Sequence, residues 1–292
     1  MNKKFELILI STCCNHNHIY NLINSVVSSN VELSTCLLIV NQHNIILQIP
    51  VGLSISNIIV IEHNKMENSS VARNIGISYI LKQGIEAKFI AFPDDDSSYD
   101  NFFFEGIKDK IVKGDNYNII TDVYCTGTNN LFRKIKYQNN ALLSKYDYNI
   151  VGAVNLVLNF QTFISVGYFD SRYGINAKYG AGEDGDYFIR ATKFYPFYYN
   201  KELYSYHPSN ETKYLSFTFK QLRKRLSTYG CGVIALLSKH RMYKQAFIVL
   251  IRAILGSAFY LRKGKPKISF AYFEAFFVRG YYLLHFLLKP IN

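Results

Sequence analysis

Along the first two-thirds of the chain, short apolar runs alternate with segments whose apolar residues recur at helical spacing. The runs Phe5–Ile10, Cys36–Asn41, Ile58–Glu62, Phe89–Phe92 and Asn118–Tyr124 have the length and composition of buried strands. Between them lie three helical patterns. Asn17 to Ser29 puts Ile19, Leu22, Ile23, Val26 and Val27 on one face, and Ser69 to Gln83 does the same with Val71, Ala72, Ile75 and Tyr79. The third runs from Tyr99 to Lys113. Strands apolar on both faces, separated by helices, predict an α/β fold: a mostly parallel, Rossmann-like sheet with helices on both faces. In such sheets ligands bind beyond the carboxyl ends of the strands.

Past Tyr124 the rhythm loosens, and the polar stretch from Cys125 to Tyr148 reads as a loop or excursion. A strand is expected over about Ile150–Asn159, then a short helix. A loop bearing Gly174, Gly180 and Gly182 leads into Glu183-Asp184, where an amphipathic helix starts and runs to Lys193. A last strand, about Glu202–Tyr206, ends at His207-Pro208.

From Leu215 on, aromatic and aliphatic residues crowd together with regularly placed Lys and Arg. The longest runs, Ala246–Leu261 and Ile268–Leu288, carry Arg252, and Glu274 with Arg279. A bilayer span needs roughly 20 predominantly apolar residues, and central charges oppose it. The expectation is therefore interfacial amphipathic helices, apolar face in lipid and basic residues toward the headgroups. The alternative is a helical bundle packed on the core. The chain divides on this reading into residues 1–212 and a C-terminal helical segment, 213–292.

Charge sharpens that division. Met1 to Thr212 holds 18 basic and 20 acidic residues, whereas Lys213 to Asn292 holds 15 basic residues and one acid, Glu274. A segment so basic seeks a polyanion. Its aromatics are interleaved with long aliphatic runs, which favours an anionic membrane surface and argues against nucleic acid. Five scattered cysteines (Cys13, Cys14, Cys36, Cys125, Cys231) give neither a zinc spacing nor an even disulfide framework, and imply a reducing, cytoplasmic compartment. The N-terminal apolar run is shorter than a secretory signal core and reads as a first strand.

The candidate chemistry begins with Asp94-Asp95-Asp96, directly after the strand Phe89–Phe92. Adjacent like charges repel, but they become favourable with a divalent cation among them. Hard oxygen ligands suit Mg²⁺ or Mn²⁺, which keep positions open for phosphate oxygens. The plainer reading is a solvated acidic turn that caps the next helix. Arg73, in SSVARNIGISYI, lies on a helix otherwise patterned for the core, where a guanidinium could bind phosphate or order the acids. In GAGEDGD, glycines allow a backbone to approach a ligand, and a carboxylate just after them can act as a general base. His207 follows a strand and is a possible metal ligand.

Taken in order, FELILISTCCN, SSVARNIGI, FIAFPDDDSSY, VGYFDSRYG and GAGEDGDYFIRA resemble glycosyltransferase family 2, of bacterial surface-polysaccharide type, over about Phe5 to Pro208. That resemblance implies a GT-A fold and inverting transfer of a sugar from a nucleotide-diphosphate donor, a UDP-sugar, to a hydroxyl of a glycan or lipid-linked acceptor. It implies a DxD motif in the aspartates, with Asp94 or Asp95 near the nucleoside, and Asp96, Asp94 and His207 around Mn²⁺ or Mg²⁺. Arg73, Thr12 and Asn41 fall on the donor side. Asp184 becomes the catalytic base and Glu183 helps to place the acceptor. The protein would then be cytoplasmic and peripherally attached to the inner face of the cell membrane, in lipopolysaccharide or capsule synthesis. Two departures stand out: Asn41 occupies a position usually held by aspartate, and STCCN replaces a proline-bearing first turn. Two other classes compete. Nucleotidyl transfer calls for a glycine-rich basic loop after the first strand, and STCCNHNHIYN lacks a glycine. A non-catalytic membrane- or nucleic-acid-binding module would use the basic segment alone.

Overall fold

Strand β1 (Leu7–Cys13) shows why the chain folds as it does: its two faces are buried against different helices. The computed structural model describes residues 3–49, 57–128, 130–209 and 217–291. In it, Leu7 and Leu9 join Leu37 and Ile39 of β2 (Thr35–Asn41) in one core cluster. That cluster is completed by Ile19, Leu22 and Ile23 of α1 (His16–Val27) and by Phe103, Phe104 and Ile107 of α3 (Asn101–Val112). The period-2 alternation of a strand sends Ile10 to the opposite face. There it meets α2 (Ser69–Lys82), whose Gly76 is pressed so closely that a Cβ would lie 2.6 Å from Ile10 Cγ2.

β1, β2 and β3 (Ile58–Glu62) run parallel, with Cys13, Asn41 and Glu62 side by side at their carboxyl ends. β4 (Phe89–Ala91) pairs in parallel with the other edge of β1. β7 (Leu156–Asn159) inserts antiparallel between β4 and β5 (Asn118–Cys125), β5 runs parallel to β8 (Phe197–His207), and β6 (Leu142–Leu143) closes the edge. Among the described residues the order is β3-β2-β1-β4-β7-β5-β8-β6. The result is the mixed, largely parallel, helix-flanked sheet of a GT-A-like architecture. Side-chain caps set the helix starts: Asn15, Asn68, Asp100 and Asn159 each accept from a first-turn amide of α1, α2, α3 and α4 (Phe160–Val166).

Three elements differ from the sequence expectation. The strand expected over Ile150–Asn159 starts only at Leu156. Asn155 takes the preceding residues out of the sheet: its Oδ1 accepts from Gly152 N at 2.8 Å, while its Nδ2 donates to the carbonyls of Ile150 and Thr121. β8 is longer than the expected Glu202–Tyr206. It includes a register shift opposite Thr121/Asp122, where Asn200 Oδ1 accepts from the amides of Glu202 and Leu203. The Cys125–Tyr148 excursion contributes the two-residue strand β6.

The chain divides into two compact units, Met1–Phe169 with Tyr187–Ser209, and Asp170–Asp186 with Asn210–Asn292. The first holds the sheet. The boundary expected between residues 212 and 213 falls outside the described residues. In the second unit three helices pack on one another: α6 (Phe219–Lys239), α7 (Tyr243–Arg262) and α8 (Pro266–Leu288). Helix α5 (Glu183–Ala191) begins in this unit. The glycines before it serve packing against α6. A Cβ on Gly180 would lie 2.8 Å from Thr228 Cβ, and one on Gly232 would lie 2.3 Å from the Ala181 carbonyl oxygen. The close approach these glycines permit is to a helix, where the sequence suggested a ligand.

Glycine to alanine inside a helix normally stabilises by about 1 kcal/mol. Gly232→Ala is expected to do the reverse, lowering stability by about 1–3 kcal/mol, because the obstruction is backbone and cannot rotate away. Urea unfolding reads the sign, and a raised midpoint would contradict this packing.

Candidate active site

β4 delivers Asp94, Asp95 and Asp96 to the carboxyl edge of the sheet, and the chain then turns sharply. Ser97 N and Oγ both donate to the Asp94 carbonyl, at 3.1 and 2.6 Å. Ser98 next forms a two-way bridge to Tyr206, its N donating at 3.0 Å and its O accepting at 2.9 Å. That bridge brings the residue after Tyr206 beside the triplet. His207 Nε2 lies 3.1 Å from Asp96 Oδ1 and 3.8 Å from Asp94 Oδ2. The capping reading holds for one residue of this stretch, Asp100, which caps α3 and also accepts from Tyr206 Oη.

Electrostatics set the state of each group. His207 Nδ1 lies 2.8 Å from the Pro208 carbonyl, an acceptor only, so Nδ1 carries a proton and Nε2 faces the acids. Burial works against charge on this imidazole, but the hydrogen bond and charge of Asp96, with the charge of Asp94, outweigh it and hold its pKa above the usual range. Asp95 Oδ2 accepts from Cys14 N at 3.2 Å. Burial, and then the neighbouring Asp96 and Asp94, nevertheless push the Asp95 carboxyl above the usual carboxylate range.

Arg73 is only 6% exposed, and its Nη2 donates to Asp94 Oδ1 at 3.1 Å. Its Cζ lies 5.4 Å from the centre of the Phe169 ring. The next residue fixes that ring. Asn74 Nδ2 donates to the Phe169 carbonyl at 2.9 Å, and its Oδ1 accepts from Phe169 N at 2.8 Å. Phe169 also packs edge-on against Phe92 and lies against Tyr187. The ARN segment is thus a support: one residue pins an aromatic floor, and its neighbour stretches across that floor to hold Asp94.

Thr12 is half-buried near the end of β1, opposite Val40. Asn41, at the end of β2, is fully buried and has its polar atoms engaged. Nδ2 donates to Glu62 Oε2 at 2.6 Å and to the Ile45 carbonyl at 2.9 Å, while Oδ1 accepts from His43 N and from His16 Nε2. An aspartate at this position would set two carboxylates against each other. The amide is the side chain that tolerates Glu62.

Glu183 and Asp184 open α5, the first buried and the second half-buried. They lie in the second unit, whereas Thr12, Asn41, Arg73, Asp94, Asp95, Asp96 and His207 lie in the first. The first turn of α5 is held from beneath by Asp186, which is fully buried and bonded to Lys239 Nζ at 2.6 Å and His240 Nε2 at 2.8 Å. Lys239 Nζ also reaches Asp170 Oδ2 at 2.8 Å, and Arg172 clasps the same carboxylate. This four-member network of Asp170, Asp186, Lys239 and His240 was not legible as a unit in the sequence.

Other groups near the triplet were also missed. His18 joins Asp95 and Asp96 in a second set of ligand atoms lying within 4.8 Å of one another, overlapping the set Asp94, Asp96 and His207. The histidines of NHNH, just past β1, were the available signal. Either set can hold a divalent cation. The Asp94, Asp96 and His207 set is the better ordered, because the Pro208 carbonyl fixes the ring that presents Nε2.

Asp170 gives a pH test of the second unit. Burial raises its pKa, but hydrogen bonds from Arg172 and Lys239 prevail and hold the carboxyl far below the usual range. A carboxylate depressed in the folded state contributes stability that is present above its unfolded pKa of about 3.9 and is lost as pH falls through the folded value. Stability measured by denaturant titration should therefore fall as pH drops below about 4, and Asp170→Asn should flatten that slope. An unaltered slope in the variant would remove Asp170 from the account.

No family profile and no curated protein matches the sequence. Solved structures match in fold. The crystal structure of S. aureus TarS 1–349 has a TM-score of 0.57 at 11% identity, covering 96% of this chain and 92% of that one. The crystal structure of the same TarS 1–349 in complex with UDP-GlcNAc gives 0.53 at 11% identity, again over 96% and 92%. GalNAc-T7 with UDP, GalNAc and Mn²⁺ gives 0.53 at 11% identity, over 80% of this chain and 48% of that one. Against a longer TarS structure the chain spans 43% of that chain's length. At such identity the likeness is one of fold alone, a GT-A-like architecture.

Proposed function

We propose that this protein is an inverting, metal-dependent glycosyltransferase of the family 2 kind. On this reading residues 1–212 form the catalytic region, and a UDP-sugar donates its sugar to a hydroxyl of a glycan or lipid-linked acceptor in cell-surface polysaccharide synthesis. The observation that carries the reading is the convergence of Asp94, Asp96 and His207 at the carboxyl edge of a GT-A-like sheet, with a buried arginine on Asp94. Two carboxylates and an imidazole of fixed tautomer fit a hard or borderline divalent cation, Mn²⁺ or Mg²⁺. When bound, that cation supplies positive charge to a departing diphosphate.

The chain's own residues do the rest. Asp94 or Asp95 lies near the donor's nucleoside, and Arg73 orients Asp94. Thr12 and Asn41 line the donor side at the ends of β1 and β2, Asn41 by holding Glu62 and His43. Asp184 takes the proton from the acceptor hydroxyl while that oxygen bonds to the anomeric carbon. The bond from that carbon to the diphosphate breaks on the opposite face, and the diphosphate keeps the electron pair, so the configuration inverts. Glu183 places the acceptor. The enzyme works in the cytoplasm, where nucleotide sugars are made.

A panel of nucleotide sugars assayed with Mn²⁺, with Mg²⁺ and with chelator tests the reading; turnover should appear with one donor and vanish on chelation. Asp184→Asn should lower kcat by about 10²–10⁴ while donor affinity stays nearly constant. Equal losses in affinity and rate would count against Asp184 as the base. Asp96→Ala should weaken UDP binding in Mn²⁺, measured by calorimetry, and binding as tight as that of the unaltered protein would remove Asp96 from the metal set.

A further inference from the structure

We infer that the α7–α8 hairpin docks on an anionic phospholipid bilayer, lying in the headgroup plane with an aromatic stripe immersed and a basic tip on the phosphates. The inference stands on the second unit alone and does not depend on the chemistry proposed above. Helix α8 carries Phe270, Phe273, Phe277, Tyr281 and Leu284 at three- and four-residue spacing, which puts them on one face. All five are 43–66% exposed. The other face of α8 is occupied, with Ala271, Ala275 and Phe286 buried. On α7, Phe247, Leu255 and Phe259 are likewise more than half exposed. Exposed aromatic and aliphatic residues in such number are unfavourable in water and mark an interaction surface.

Charge selects the occupant. Arg262, Lys263, Lys265 and Lys267 are all exposed at the turn joining the two helices. The single acid from Lys213 onward, Glu274, is already clasped by Arg223, whose Nη2 lies 2.7 Å from Glu274 Oε1. The segment's one acidic side chain is therefore neutralised and does not oppose an anionic surface. A second copy of the chain seated on the stripe would instead bring like charges together, which is costly. The in-plane pose follows from where the charges fall. Helix α7 is long and apolar enough to cross a bilayer, at 20 residues and a mean hydropathy of 1.4. Yet Arg252 is exposed near its middle, and α8 carries Glu274 and Arg279. A helix lying in the interface lets Arg252 extend its stem over the apolar boundary and keep its head among phosphates.

The chain contains no tryptophan, so a single Phe277→Trp or Phe259→Trp substitution gives a silent-background reporter. With the full chain, vesicles of phosphatidylcholine plus phosphatidylglycerol should float the protein, blue-shift the reporter and sustain its quenching by lipids brominated near the headgroup. Vesicles of phosphatidylcholine alone should not. Lys263→Gln, Lys265→Gln and Lys267→Gln together should lower anionic partitioning about 100-fold, at about fivefold per charge. Phe273→Ser with Phe277→Ser should abolish the reporter shift at Phe259→Trp. The proposal is overturned by undiminished binding in the lysine variant, whose exposed positions spare the fold. It is equally overturned if carbonate fails to extract the bound protein, which would mean a spanning helix. A salt-insensitive dimer lost in the phenylalanine variant, with no vesicle binding, would assign the stripe to a second copy.

Discussion

The acidic edge of the first unit depends on one buried contact, the guanidinium of Arg73 against Asp94. Three successive carboxylates repel one another, and fixed positive charge behind them offsets part of that repulsion. A buried guanidinium carries a desolvation penalty that its partner alone rarely offsets. Here the remainder comes from the Phe169 ring beneath it and from Asn74, which clamps the backbone of that same residue. The helix, the aromatic floor and the acidic turn therefore stand or fall together. Removing the arginine would leave Asp94 beside two like charges, with the His207 imidazole 3.8 Å away.

Much of this was legible beforehand, and the legible part has a physical pattern. Strands buried on both faces announce themselves as unbroken apolar runs, so β1 to β5 were visible, as were α1 to α3, within a few residues. The triplet, Arg73 and His207 could be singled out because each is chemically out of place for its element. What escaped was structure made by side-chain amides. Asn155 bends the chain off the sheet, Asn200 shapes the irregularity in β8, and Asn41 mediates between Glu62 and two histidines. Such residues look like ordinary polar loop positions until their partners, distant in sequence, are known. The antiparallel entry of β7 between β4 and β5 was hidden for the same reason, since periodicity says nothing of strand order.

The glycines before α5 carry a related lesson. In sequence they invite a ligand, because a bare backbone can be approached from any side. In the structure α6 makes the approach, through a glycine of its own at position 232. The Asp186, Lys239 and His240 cluster then fixes the first turn of α5 to the end of that same helix. The placement of Glu183 and Asp184 is thus governed by residues more than fifty positions downstream, and reading the motif alone would miss that dependence.

The bridge between Ser98 and Tyr206 has a temporal consequence. It joins residues more than a hundred positions apart and needs β8, the last strand among the described residues, and closing so long a loop is entropically slow to nucleate. Until it forms, the acidic turn lacks the His207 imidazole beside Asp96. In a nascent or partly unfolded chain Asp94, Asp96 and His207 are therefore not yet together, and their grouping is a property of the finished sheet.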